Sequence, residues 1–145
     1  MVTIITRYAS KELFYHYWYP MIHKHNEAEF IIIGTEGQFQ PESKNLRFVD
    51  TFEEAYQNAK GEFLLVTDFD SIPTYKLMTL IPMMGQRNEI LIPKWQGYMK
   101  PPESPPNTFG LSKKNYAGES ADDYIGKYNP KIRNISSVYY VEEGR

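Results

Sequence analysis

The sequence predicts an α/β fold, a single three-layer α/β/α domain on a mostly parallel sheet, from three observations. Two strand-length runs, Phe30-Ile31-Ile32-Ile33 and Phe63-Leu64-Leu65-Val66, are apolar at every position, as in strands covered on both faces. Strand and helix signals alternate from the first residues onward, which implies parallel strands joined by right-handed crossovers. The 145 residues and 41% hydrophobic content suit one domain, burying roughly 68% of its unfolded surface.

Taken in order, Val2 to Thr6 read as the first strand, and the polar loop Arg7-Tyr8-Ala9-Ser10 leads to a helix with Ser10 as N-cap. Leu13, Phe14, Tyr17, Trp18, Met21 and Ile22 recur at helical spacing and form its core face, with Pro20 expected to kink or end it. His23 and His25 are too close to share a helix face, which argues against a metal site there. Glu29 to Gly34 supply a second strand, residues 37–45 a surface loop, and Leu46 to Val49 a short third strand. Thr51-Phe52-Glu53-Glu54 is a capping box that opens a helix through Ala55, Tyr56 and Ala59, and Gly61 is expected to stop it.

Beyond the second apolar run, Thr74 to Met84 read as a helix with Leu77, Leu80, Ile81 and Met84 inward, and Glu89 to Pro93 as a strand. Gly97 and the prolines at 101, 102, 105 and 106 mark about 95–110 as a mobile Pro-rich loop, carrying Trp95, Tyr98 and Lys100. Phe109 to Leu111 return to the sheet. Ser120-Ala121-Asp122-Asp123 start a helix that Asn129-Pro130 ends, and Ser136 to Val141 form a last, edge strand.

The 16 basic and 18 acidic residues leave a charge of -2, which gives no global electrostatic footprint for nucleic acid or anionic lipid. The absence of cysteine excludes disulfides, thiolate metal sites and a cysteine nucleophile. No apolar stretch reaches transmembrane length and no secretory leader is evident, so a soluble, cytoplasmic protein is expected. Aromatic content of 15%, including 12 tyrosines, exceeds what the core needs and places some rings on a ligand surface.

The chemistry centres on Gly61-Glu62-Phe63-Leu64-Leu65-Val66-Thr67-Asp68-Phe69-Asp70-Ser71-Ile72-Pro73. In open α/β sheets ligands bind beyond the carboxyl ends of strands, where Asp68 and Asp70 emerge. Two carboxylates there suit a hard divalent cation shared with substrate phosphates. Asp70 is the expected direct ligand, with Asp68 binding through water or holding a ribose hydroxyl. The bland explanation is that Asp and Ser merely end a strand in a turn.

The run from Thr51 to Pro73, a helix followed by Gly-Glu-Phe-Leu-Leu-Val-Thr and Asp-Phe-Asp-Ser-Ile-Pro, resembles family-2-like nucleotide-sugar glycosyltransferases of the GT-A fold. The likeness extends from the first strand to about residue 93. The chain is short for that fold and looks like a minimal version, similar to the small transferases encoded by some archaeal viruses. The resemblance implies Mn2+ or Mg2+ at Asp68 and Asp70 and a UDP- or GDP-linked sugar as donor. It places Thr6, Arg7 and Tyr8 where members bind the nucleoside, and Glu36 where an acidic residue often reads the base. Asp122 or Asp123 would take the acceptor hydroxyl's proton, although acidic residues in a first helical turn also complement the helix dipole. The sequence departs from the family in two ways. No histidine follows His25 to complete a metal shell, and no clear C-terminal acceptor region is present.

Two rival functions remain. Asp-x-Asp-Ser after an apolar strand also resembles the first motif of haloacid-dehalogenase-like phosphatases, with Asp68 as nucleophile and Asp70 as acid or base. A nucleotide-binding module without turnover is the other. Lys113 and Lys114 are available to a phosphate but also suit a solvated surface.

Overall fold

The computed structural model of the chain describes residues 1–35, 42–84, 88–96 and 107–141. It opens with β1 (Val2–Arg7), α1 (Lys11–Leu13), a π-helical turn (Phe14–Trp18), α2 (Tyr19–Lys24), β2 (Glu29–Ile33) and β3 (Leu46–Val49). There follow α3 (Phe52–Asn58), β4 (Phe63–Thr67), β5 (Ser71–Pro73), α4 (Tyr75–Leu80), β6 (Glu89–Trp95), β7 (Phe109–Ser112), α5 (Ala121–Tyr128) and β8 (Lys131–Tyr140).

The strands form one sheet in the order β3-β2-β1-β4-β7-β6-β8-β5. The β3-β2-β1-β4 half is parallel, as its apolar strands and intervening helices require. The other half is mixed, so that over the whole sheet, among the described residues, four strand pairings are parallel and three antiparallel. β7 runs antiparallel to both β4 and β6, and β5 antiparallel to β8, while β6 and β8 are parallel.

Alternation along the strands divides the core. Ile4, Phe30, Ile32, Leu65 and Leu91 pack with Phe14, Trp18 and Ile22 of the first helix and with Leu77, Met78 and Ile81. Ile5, Ile31, Ile33, Leu64 and Ile90 pack with Ala55 of α3 and Tyr124 of α5. Helices therefore cover both groups of inward side chains, which is why the two apolar runs show no polar face.

Four hydroxyls cap helices as their spacing demands. Ser10, Thr51, Thr74 and Ser120 accept from the amides of Leu13, Glu54, Leu77 and Asp123 at 3.1–3.2 Å. Pro20 does not end its helix, which continues to Lys24. The preceding turn is π-helical, with the Tyr19 amide donating to the Phe14 carbonyl five residues back. A wider turn at this point eases the clash and the missing donor that a proline brings to a helix interior.

Several sequence expectations are corrected. Gly61 does not stop α3, which ends at Asn58 with Ala59 extended. Trp95 belongs to β6 and is buried, so it is not part of the loop expected from about 95, and residues 97–106, with Tyr98 and Lys100, lie outside the described residues. β8 begins at Lys131 and lies between β6 and β5, so it is no edge. Its first half is largely exposed and so lacks the apolar rhythm that marks a strand. The edge is β5, where Pro73 is tolerated because an edge strand needs fewer amide donors. Leu80 is only half-buried, and Met78 points inward beside Leu77. No described helix is long and apolar enough to cross a membrane.

Asn45 fastens the first helix to the sheet. Its amide Nδ2 donates toward the carbonyls of Ile22, His25 and Ala28 at 2.9, 3.0 and 3.2 Å, at the end of α2 and the approach to β2. Asn45→Ala would leave these acceptors without that donor, and the expected loss is about 1–3 kcal/mol, read by urea unfolding.

Candidate active site

The parallel strands β1 and β4 lie side by side with Thr6 opposite Thr67, so both carboxyl ends open at one mouth. A cavity of about 470 Å³ occupies it. One side is built from Thr6 and Arg7 at the end of β1 and Val66, Thr67 and Asp68 at the end of β4. The start of α5 contributes Glu119, Ser120, Ala121 and Asp122 to the same wall. Phe52 at the start of α3, Asn107 and Phe109 before and within β7, and Tyr116 complete the wall.

Strand alternation explains how the acidic motif is presented. Leu65 joins one core group and Leu64 the other, and the rhythm carries past the strand end. Asp68 enters the cavity wall, and Phe69 turns to the opposite group, buried among Trp18 and its neighbours. A turn then closes with the Ser71 amide donating to the Asp68 carbonyl at 3.0 Å. This reversal breaks the alternation, and Asp70 is not part of the cavity wall. The Val141 amide donates to the Asp70 carbonyl at 2.9 Å, which fixes its backbone to the end of β8.

The Asp68 carboxylate accepts a hydrogen bond from Asn107 Nδ2 at 3.3 Å. Burial pushes its carboxyl above the ordinary carboxylate range, the bond from Asn107 opposes that, and the charge of Asp70 adds to the rise. The folded protein thus holds this proton to higher pH than the unfolded chain does. Ionised Asp68 costs stability, a penalty absent below the unfolded pKa and complete above the raised folded one. Asp68→Asn keeps an oxygen for Asn107, so its urea stability is expected to match the parent at acid pH and to exceed it increasingly as pH rises through the carboxylate range.

In the same wall, burial opposes ionisation of Glu119. The Ala117 amide at 2.7 Å and Lys127 at 3.5 Å outweigh it and hold the carboxyl below the usual range. Tyr116 donates to the Glu119 carbonyl at 2.7 Å, and burial pushes its hydroxyl far up, with Glu119 and Tyr56 adding to the effect. Gly118 sits at φ +94°, and a Cβ there would meet Tyr56 Cε1 at 2.8 Å. The segment thus needs glycine both for its backbone and for space.

Of the residues singled out from sequence, Thr6, Arg7, Asp68 and Asp122 meet in this one cavity. Tyr8, Asp70 and Asp123 are not in its wall. Tyr8 instead packs its half-buried ring on Phe69 at 5.5 Å. Glu36 lies outside the described residues. Sequence reasoning missed Phe52, Asn107, Phe109 and Tyr116, because an aromatic beside a helix start or in a strand reads as core. Among the described residues no three His, Cys, Asp or Glu side chains gather as a metal site.

No protein-family model and no curated protein sequence matches the chain. Solved structures do. S. aureus TarS 1-349 in complex with UDP-GlcNAc superposes with a TM-score of 0.67 at 15% identity, over 99% of this chain and 59% of that one. The chain shares the fold of that structure. TarS 1-349 in a second crystal structure gives 0.62 at 15% identity, over 97% of this chain and 60% of that one. 2-C-methyl-D-erythritol 4-phosphate cytidylyltransferase from Thermus thermophilus gives 0.63 at 12% identity, over 99% and 93% of the two chains. This chain therefore spans about three fifths of TarS 1-349.

Proposed function

We propose that this chain is a three-layer GT-A-like glycosyltransferase domain that moves a sugar from a nucleoside-diphosphate donor to an acceptor hydroxyl with the help of Mn2+ or Mg2+. The observation that carries the reading is that Asp68 and Asp122 line one cavity at the carboxyl ends of β1 and β4. The fold likeness to a protein crystallised with UDP-GlcNAc supports the donor class.

In this reading the rings of Phe52, Phe109 and Tyr116 and the apolar floor of Ile5 and Ile33 bind the nucleoside. Arg7 faces the diphosphate. Asp122 takes the acceptor hydroxyl's proton as the sugar carbon is attacked opposite the departing diphosphate. The donor set fits a hard cation. Asp68 is a carboxylate whose ionisation is opposed by burial and by Asp70, so a cation relieves the same unfavourable charge. Asp68 would hold the ion, with Asp70 beside it and the remaining ligands from diphosphate and water. The ion supplies neutralisation of the leaving group's charge.

Thermal-shift measurement with UDP and GDP, with and without Mn2+, tests the donor site. Metal-dependent stabilisation that disappears in Asp68→Ala is the expected result. At a ligand concentration 100 times Kd the gain is about 2.7 kcal/mol. A shift that persists unchanged in Asp68→Ala refutes the assignment, and trapping of beryllofluoride on Asp68 would establish the phosphatase reading instead.

A further inference from the structure

We infer that Trp18 is a positioning residue that holds the Asp68–Asp70 turn in register with the cavity, acting through Phe69. Phe69 lies between the two carboxylates, and its ring and its carbonyl both end on Trp18. The indole stacks on the phenyl ring with centroids 5.4 Å apart and planes 11° apart. Indole Nε1 donates to the Phe69 carbonyl at 2.9 Å. Tyr8, from the loop after β1, closes on Phe69 at 5.5 Å.

Three features make this more than core packing. Trp18 is fully buried and its one donor goes to the main chain of the acidic turn, 51 residues away, so the bond fixes the height of that turn. A hydrogen bond from the side chain to the carbonyl of the central residue restrains the Phe69–Asp70 peptide, within the segment that joins the two carboxylates. Trp18 also closes the π-helical turn Phe14–Trp18, a local departure that occurs often at functional sites and sets the phase at which its indole leaves the helix. The side of the sheet that carries Trp18 and the side that holds the cavity are different. Trp18 therefore reaches the site only through the turn, and touches no ligand there.

The test compares Trp18→Phe, which keeps a ring and removes the donor, with Phe69→Leu, which removes the stack from the turn's side. Amide hydrogen exchange of Ser71 reports the turn, because that amide closes it onto the Asp68 carbonyl. In Trp18→Phe, Ser71 exchange is expected to rise about tenfold while the amides of Leu64 and Leu65 in β4 hold, the scale of one lost hydrogen bond. Phe69→Leu is expected to act in the same direction, and it decides the matter if Trp18→Phe does not fold. Ser71 exchange that stays at the parent value, or rises only in step with Leu64 and Leu65, overturns the inference.

The ligand arm rests on the function proposed above. UDP affinity in the presence of Mn2+ is expected to fall about tenfold in Trp18→Phe, with affinity in EDTA unchanged. A purely structural role would lower both together. If the parent protein binds neither UDP nor GDP, the proposed function fails while the exchange result still decides the role of Trp18.

Discussion

Under the proposed function, Asp122→Asn is expected to lower the turnover of sugar transfer by about 10²–10⁴-fold, the range over which a positioned general base contributes. Donor affinity should stay within about twofold, since no proton moves in binding. Asp123→Asn, its neighbour, is expected to retain turnover within about threefold. The contrast follows from helix geometry. Adjacent residues project in directions far apart on a helix, so one wall of a cavity receives one of them. Here Asp122 is in the wall and Asp123 is not. The Asp123 amide is the one that Ser120 caps at 3.2 Å.

Both carboxylates sit in the first turn of α5 and both complement its dipole. Each substitution is therefore expected to cost a similar stability, about 0.3–1 kcal/mol. Equal stabilities with unequal turnover would assign the proton transfer to Asp122. Equal turnover losses would place the role in the dipole instead, and remove the base from the mechanism.

What the sequence made legible was local. Ser10, Thr51 and Ser120 cap helices through bonds that span three residues, and their spacing is visible in the chain. The runs at Phe30 and Phe63 read correctly because a strand covered on both faces has no polar rhythm to obscure it. The errors were non-local. Nothing near Ser71-Ile72-Pro73 signals a strand, since its partner is Val138 to Tyr140, more than sixty residues later. β7 lies between β4 and β6, an insertion no short-range pattern encodes. The acidic motif was found, but Asp70 was expected as the direct ligand and Asp68 as the one acting through water or on a ribose hydroxyl. The turn at Asp68–Ser71 separates them, placing Asp68 in the cavity wall and Asp70 outside it. The aromatic wall was hidden for a related reason. Phe109 and Tyr116 belong to a buried group as well as to the cavity, so one ring serves both packing and ligand surface.

Gly61 offers the sharpest test of a reading that the fold reversed. A helix-stopping glycine would take a left-handed backbone, and among the described residues the glycines at positive φ are Gly34 and Gly118. Gly61 is instead needed because β1 passes against it. A Cβ there would lie 2.7 Å from both the Thr3 amide nitrogen and Oγ1, and 2.8 Å from the Met1 carbonyl oxygen. Two of those atoms are main chain and cannot swing aside. The same place holds a buried polar network. The Gly61 amide donates to Thr3 Oγ1 at 2.9 Å, Thr3 Oγ1 donates to Glu29 Oε1 at 2.8 Å, and the Lys60 amide donates to the same oxygen at 2.8 Å. Moving β1 away to admit a methyl group disturbs the network and opens the Val2 to Phe63 pairing. Overpacking of this kind costs about 1–3 kcal/mol, and a buried polar group left without its partner about 1–3 kcal/mol more. Gly61→Ala is therefore expected to lose about 2–6 kcal/mol in urea unfolding, a large share of the stability of a domain this size. Gly126→Ala is the control, since nothing lies within 4 Å of its Cβ and it sits in the exposed part of α5. It is expected to gain about 0.5–1 kcal/mol from helix propensity. A loss of only about 1 kcal/mol in Gly61→Ala would show that β1 can yield at its first residues without cost to the sheet or to the polar network.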